Sequence, residues 1–198
     1  MSYPPPYYMD DNPAFAQRIM AEHSFALVVA DGLEATHLPL LFSYEGEQGA
    51  LYGHIARSNP MAALLDGAAA LAVFSGPHGY VSATLYDRPE ANVPTWNYAS
   101  VHARGTLTAL PDDALPTHLA ELAMAYEGDD GWSVGDAPDY VARISRAIVA
   151  VRLEITSIQA FRKMSGNKPP AIRKRIIDAA RAGGEDAFAD EMESLTDD

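Results

Sequence analysis

Val149, Val151, Leu153 and Ile155 occupy alternate positions, with Arg152, Glu154 and Thr156 between them. Successive side chains of a strand point to opposite faces, so this spacing specifies a half-buried β-strand and excludes an amphipathic helix. The pattern recurs. Val101, Ala103 and Leu107 alternate with Ser100, His102, Arg104 and Thr106, and Phe25, Leu27 and Val29 do the same over residues 24–30. Further strands are expected over 36–44, 50–55, 70–75 and 80–86. Turn signals stand at Asp31-Gly32, in the loop 45–49 and at Gly76-Pro77-His78-Gly79, and a polar loop follows over 87–94.

Helices interrupt this series. Asn12-Pro13 and Asn59-Pro60 each pair a capping residue with proline at the first helical position. They predict helices over 13–22 and from 60 to a stop at Gly67. Pro111-Asp112-Asp113 opens another, with the stripe Leu115, Leu119, Leu122 and Tyr126 and a stop at Gly128; one more is expected over 138–146. In the tail, Pro169-Pro170 opens a helix with Ile172, Ile176 and Ala180 on one side. Gly183-Gly184 breaks it, and a last acidic helix carries Phe188, Met192 and Leu195. Strands in hairpin series with helices between them, and no regular βαβ alternation, predict a mainly β chain with α additions (α+β), built on an antiparallel barrel. The expected division is a barrel body over 1–160 with inserted helices and a helical tail over 161–198.

The chain has 198 residues, enough for a real core. It lacks cysteine, which removes disulfides, thiolate metal sites and cysteine nucleophiles and fits a reducing cytoplasm. No apolar run spans a bilayer, and the N-terminus has no basic and apolar regions of a secretory signal. A cytoplasmic location is therefore expected. With 14 basic and 27 acidic residues the net charge is −13, which repels nucleic acid at long range. Walker A, GxGxxG, GxSxG and HExxH patterns are absent. The six histidines show no HxH or HxxxH pairing, so no metal site is expected. Asp112-Asp113 and Asp129-Asp130 lie at a helix start and a turn, which accounts for them. No catalytic residue is assigned.

Five polar signatures follow one another along the strands: Thr36-His37-Leu38-Pro39-Leu40, Gly53-His54-Ile55-Ala56-Arg57-Ser58-Asn59-Pro60, Gly79-Tyr80-Val81-Ser82, Val93-Pro94-Thr95-Trp96-Asn97-Tyr98 and Lys163-Met164-Ser165-Gly166-Asn167. In this order, from Tyr3 to about Arg175, the chain resembles the PaiB-like family of FMN-binding negative transcriptional regulators. The resemblance implies a flavin-binding split barrel, FMN as cofactor, and a homodimer with flavin in a groove between subunits. Two motifs depart from the family. Gly166 stands in place of glutamine in Lys-Leu-Ser-Gln-Asn, and Ala83 in place of proline after Tyr80-Val81-Ser82.

FMN needs fixed donors for its phosphate and a flat platform with polar edge contacts for its ring. The resemblance assigns the phosphate to the stretch His54, Ile55, Ala56, Arg57 and Asn59. Arg57 offers a planar fork of donors, and His54, Asn59 and the following helix start can add to it. Read without the resemblance, Arg57 is a surface arginine and Asn59 a cap. Thr36, His37, Leu38 and Pro39 would lie beneath the ring; Pro39 cannot donate to a ladder and suits an interruption or an edge. Trp96 can platform a ring and Asn97 can bond its edge, or Trp96 can serve core or interface packing, or the partner's site. Lys163 and Ser165 complete the set, with Lys163 as a cation near flavin or phosphate.

The tail superficially resembles a helix-turn-helix, with Arg173, Lys174, Arg175 and Arg181 before the glycine break. Its second helix carries Glu185, Asp186, Asp190, Glu191 and Glu193, which phosphates repel, so direct DNA reading is not expected. The basic residues instead suit pairing with the acidic tail. The expectation is an FMN-binding regulatory or flavin-sensing protein. A flavin-dependent reductase or oxidase is the alternative, since the cofactor can carry such chemistry without catalytic motifs. A flavin-free barrel for protein contacts is the third reading.

Overall fold

The computed structural model describes residues 4–46 and 48–195. Residues 1–3, where the resemblance begins, Glu47 of the expected loop, and the last three positions of the expected tail lie outside the described residues. In chain order the main elements are α1 (Pro13–Glu22), β1 (Phe25–Ala30), β2 (Ala35–Pro39), β3 (Leu41–Ser43), β4 (Ala50–Ala56), β5 (Asp66–Val81), β6 (Thr95–Ala109), α2 (Leu115–Glu127), α3 (Pro138–Ile144), β7 (Ile148–Lys163), α4 (Pro170–Ala182) and α5 (Asp186–Ser194). The described strands form one seven-stranded sheet in the order β2-β1-β5-β6-β7-β4-β3. The pairings β1–β2, β1–β5, β3–β4 and β4–β7 are antiparallel.

The chain divides into two compact units. One joins Ser75–Val101 to the N-terminal segment through Glu22 and to the segment from Gln159 onward. The other comprises His23–Phe74 and His102–Ile158. β5, β6 and β7 each contribute residues to both.

In the second unit the expected strand over 36–44 is two strands at opposite edges of the sheet, separated by Leu40 alone. Pro39 ends the pairing with β1, the Leu40 amide donates to the Ser24 carbonyl, and Leu41 starts the pairing with β4. The missing amide proton of Pro39 thus falls at the corner where the strand changes partner. The approach of β4 to this corner is close. A Cβ on Gly53 would come within 2.7 Å of a Leu40 methyl and 3.1 Å of the Pro39 carbonyl oxygen. One residue joining two sheet edges is the closure expected of a split barrel.

Three local expectations fail. The strand expected over 80–86 ends at Val81, where Ser82 caps a 3-10 turn, Ala83–Leu85. Gly76-Pro77-His78-Gly79 is no turn; it runs straight through the 16-residue β5. Its glycines serve close approach instead. The aromatic ring of Phe188 on α5 occupies the space a Cβ of Gly79 would fill. After Asn59 the helix is a 3-10 turn, Pro60–Leu64, and Gly67 lies inside β5 with φ +86°.

The first unit carries a buried ionic cluster. Arg162 on β7 and Glu191 on α5, 8% and 3% exposed, pair at 2.9 Å. Arg162 also donates to Asp10 at 3.2 Å and to the Ser194 hydroxyl at 2.8 Å, while Arg18 on α1 donates to the other Glu191 oxygen at 2.6 Å. Both guanidinium groups lie over the Phe15 ring. The same unit buries Ile19, Met20, Phe161, Met164, Ile176, Phe188 and Met192. The expected apolar faces of α4 and α5 are the buried ones.

The second unit buries a different polar pair. His118 on α2, 3% exposed, sets Nε2 at 3.3 Å from Nδ1 of His54 on β4. Its own Nδ1 is buried without a partner among the described residues. Burial, and the neighbouring His54, push the His118 pKa down to about 4, and burial lowers His54 as well. Both imidazoles are therefore neutral near pH 7.

Glu191→Ala leaves Arg162 buried with an incomplete set of partners. A loss of about 3 kcal/mol or more of unfolding free energy is expected in urea titration; a loss below 1 kcal/mol would show the cluster to be dispensable. His118 has a folded pKa below its unfolded value, so its contribution is complete above pH 6.5 and is lost as pH falls towards 4. The expected drop over that window is up to about 3 kcal/mol and shrinks in His118→Gln, measured by urea titration at successive pH values.

Candidate functional site

The first two signatures are bridged by one side chain, between positions 23 residues apart. Asn59, at the N-cap of the 3-10 turn, accepts from the Met61 amide through Oδ1 at 2.9 Å. Its Nδ2 donates to the Thr36 hydroxyl at 3.3 Å. β2 and the loop after β4 are thereby held together. Arg57 sits in that loop, its amide bonded to the Ala147 carbonyl. Its side chain is 46% exposed and donates one N–H to the outward-facing Asp112 at 2.6 Å. The remaining guanidinium N–H groups have no acceptor among the described residues.

The other residues of this set fall into two kinds. Leu38 and Ile55 are core side chains, so only their backbone groups are available to a ligand. Thr36 and Pro39 are half-buried, Ala56 is exposed, and His37 is exposed and stacked on Phe25 at 5.4 Å. The Nδ1 of His54 is committed to His118, which makes His54 a weaker phosphate donor than expected. The Met61 amide is already taken by Asn59, so the helix start offers less than a free N-terminus would. The donor set still fits an anionic phosphate, with the largely unengaged fork of Arg57 as its main element.

The remaining signatures gather in the first unit. Lys163, at the end of β7, donates from Nζ to the Thr95 hydroxyl at 2.6 Å and to the Trp96 carbonyl at 2.7 Å. Asn97, 1% exposed, donates to the Ser165 hydroxyl oxygen at 2.9 Å. Trp96 is 55% exposed beside Tyr80, so core packing is not its role in this chain. Gly166, where the family has glutamine, faces Leu195: a Cβ there would come within 3.1 Å of a Leu195 methyl. The departure makes room for the tail.

Sequence reasoning missed Asp112 as the partner of Arg57, because it also reads as a helix opener. It missed His118, whose burial has no sequence signal on a helix with a marked apolar stripe. Lys168 was also missed, although it directly follows the last signature. The basic tail residues are engaged internally. Lys174 pairs with Asp178 and Arg175 with Asp87, while Arg181 meets Asp186, Asp190 and Glu193. Among the described residues no helix is long and apolar enough to cross a membrane, and no cluster of three metal-ligating side chains occurs.

Comparison with known proteins identifies the family and the fold. The chain is 31% identical over 203 residues to protease synthase and sporulation protein PAI 2 of Bacillus subtilis, covering 99% of this chain and 97% of that protein. Its fold resembles the flavocytochrome Anf3 of Azotobacter vinelandii, with TM-score 0.62 and 16% identity over 79% of this chain and 69% of that one. It also resembles the FAD and heme binding protein of Mycobacterium smegmatis, with TM-score 0.56 and 17% identity over 79% and 73%. A family model described as "Putative FMN-binding domain" matches residues 2–157. The chain therefore belongs to this PaiB-like family of flavin-binding split barrels, and FMN is the cofactor that membership assigns.

Proposed function

We propose that the protein is an FMN-dependent regulatory or flavin-sensing protein that acts as a homodimer, with the FMN phosphate held at Arg57. The observation that carries this reading is the bond from Asn59 to Thr36, which ties the phosphate stretch to the strand assigned to the ring. Arg57 then meets the phosphate with its free N–H groups, and Asp112 yields to a stronger anion or stays as a side partner. The backbone around Thr36, His37 and Pro39 borders the ring. When bound, the flavin supplies an electron-accepting ring whose state can change with redox conditions. The chain's own part is to fix that ring and to exclude water from it.

Regulation through direct DNA contact is disfavoured by the net charge of −13 and by the internal pairing of the tail cations. A signal read through a bound ligand or partner suits these charges better. Dimerisation is supported by the second unit, where Met124, Tyr126, Trp132, Tyr140 and Ile144 are exposed large apolar side chains. Such a concentration is uncommon on a monomer's surface.

Arg57→Ala is expected to weaken FMN binding at least tenfold by fluorescence titration, while Lys174→Ala leaves it unchanged; equal effects would remove the phosphate assignment. In sedimentation equilibrium the protein should run at twice its 21.3 kDa chain mass. Met124→Glu should shift it towards monomer. A monomer that still retains FMN tightly would refute the shared groove.

A further inference from the structure

The first unit holds a cavity of about 320 Å³ whose lining includes Lys163, Lys168, Asn92, Asn97, Ser165 and Asn167. Its volume lies at the small end of small-molecule sites, which run roughly 300–1,000 Å³. Among the described lining residues there is no aspartate or glutamate. That is notable in a chain with 27 acids and 14 bases, where the other tail lysine and arginines described above are paired or buried. Neither Lys163 nor Lys168 has a carboxylate within salt-bridge distance among the described residues. Lys163 bonds only neutral oxygens, and Lys168 stands 4.9 Å over the Tyr86 ring. Lys163 likewise lies 5.2 Å from the Tyr8 ring centroid. Aromatic faces and neutral oxygens hold the two ammonium groups in place without neutralising them.

The backbone beside them is strained in a directed way. Ser165 has φ +57°, a region that costs a serine energy. Two bonds hold it there: its carbonyl accepts from the Lys168 amide at 2.9 Å, and its Oγ accepts from buried Asn97. With Oγ already an acceptor, the Ser165 hydroxyl proton is left to donate, and no acceptor for it stands among the described residues. Burial also holds the Lys163 pKa below the ordinary lysine value, a condition an anionic neighbour would relieve.

We propose that this cavity binds an oxyanion, the phosphate or carboxylate of a small molecule, between Lys163 and Lys168, with the Ser165 hydroxyl as a further donor. Opposite charge, a carboxylate-free lining and a strained hydroxyl with a free proton together specify that chemistry. The oxyanion has two sources, a separate anionic ligand or the phosphate of FMN itself, and the inference does not depend on the assignment of the FMN phosphate to Arg57.

The test uses the purified full chain, with and without FMN, titrated with inorganic phosphate at constant ionic strength. Binding is read by calorimetry and by the ¹⁵N-edited signals of the lysine side chains. Saturable binding is expected, weakened at least tenfold in Lys168→Met and in Lys163→Met and unchanged in Lys174→Met. The Lys168 side chain makes no hydrogen bond among the described residues and its amide bond to Ser165 survives substitution, so its variant keeps the test valid if Lys163→Met fails to fold. Phosphate that binds the FMN-loaded protein without releasing flavin identifies a separate ligand. Phosphate that competes with FMN, with flavin affinity falling in the lysine variants, identifies the flavin's own phosphate. No saturable binding, or binding indifferent to both lysines, overturns the proposal. A protein that binds phosphate through these lysines yet never binds FMN would defeat the flavin reading alone.

Discussion

The pairing of Arg162 with Glu191 conditions the organisation of the first unit. Two charges at this depth are costly to desolvate, and they persist only because Asp10, Ser194 and Arg18 complete the geometry. Through these contacts the N-terminal segment, the end of β7 and the last helix share one polar centre. The lysine and serine of the last signature are the next residues along the chain. They adjoin the ionic cluster along the chain, and their own bonds to Thr95, Trp96 and Asn97 fix their side chains.

The second unit solves its problem through backbone chemistry. Pro39 stops one ladder, Leu40 turns the chain, and the next residue enters another ladder at the far edge of the sheet. The glycine on β4 allows the approach. This corner places the first signature beside the second, and Asn59 secures the contact. An irregular strand and a capping asparagine, each unremarkable alone, combine to join the two segments that the proposed function gives to the flavin.

Much of this was legible in the residues. Alternation over Val149–Ile155 and around Val101 specified strands because one face of each is buried and the other is not. Asn12-Pro13 marked a helix start, and Asn59-Pro60 marked a cap followed only by a 3-10 turn, since both effects are local. Failures arose where distant contacts override local preference. Gly76 and Gly79 read as a turn, but they are small because α1 and α5 press against β5 from far along the chain. The family was legible through motif order and resemblance. The environment of each side chain was not: the commitment of His54 to His118, the burial of Asn97 and the bond from Arg57 to Asp112 all depend on partners 55 or more residues away.

The order in which the chain is made has a consequence for the first unit. Ile19 and Met20 on α1 are fully buried in a core that also holds Phe188 and Met192. During synthesis Arg18 on the same helix waits for Glu191, 173 positions further on, which takes on the order of 10–30 s at ordinary translation rates. The second unit starts later in the chain and ends earlier, so its own residues are complete while α4 and α5 are still to be translated. An early helix that lacks its last ionic partner for that interval is a natural client for ribosome-associated chaperones.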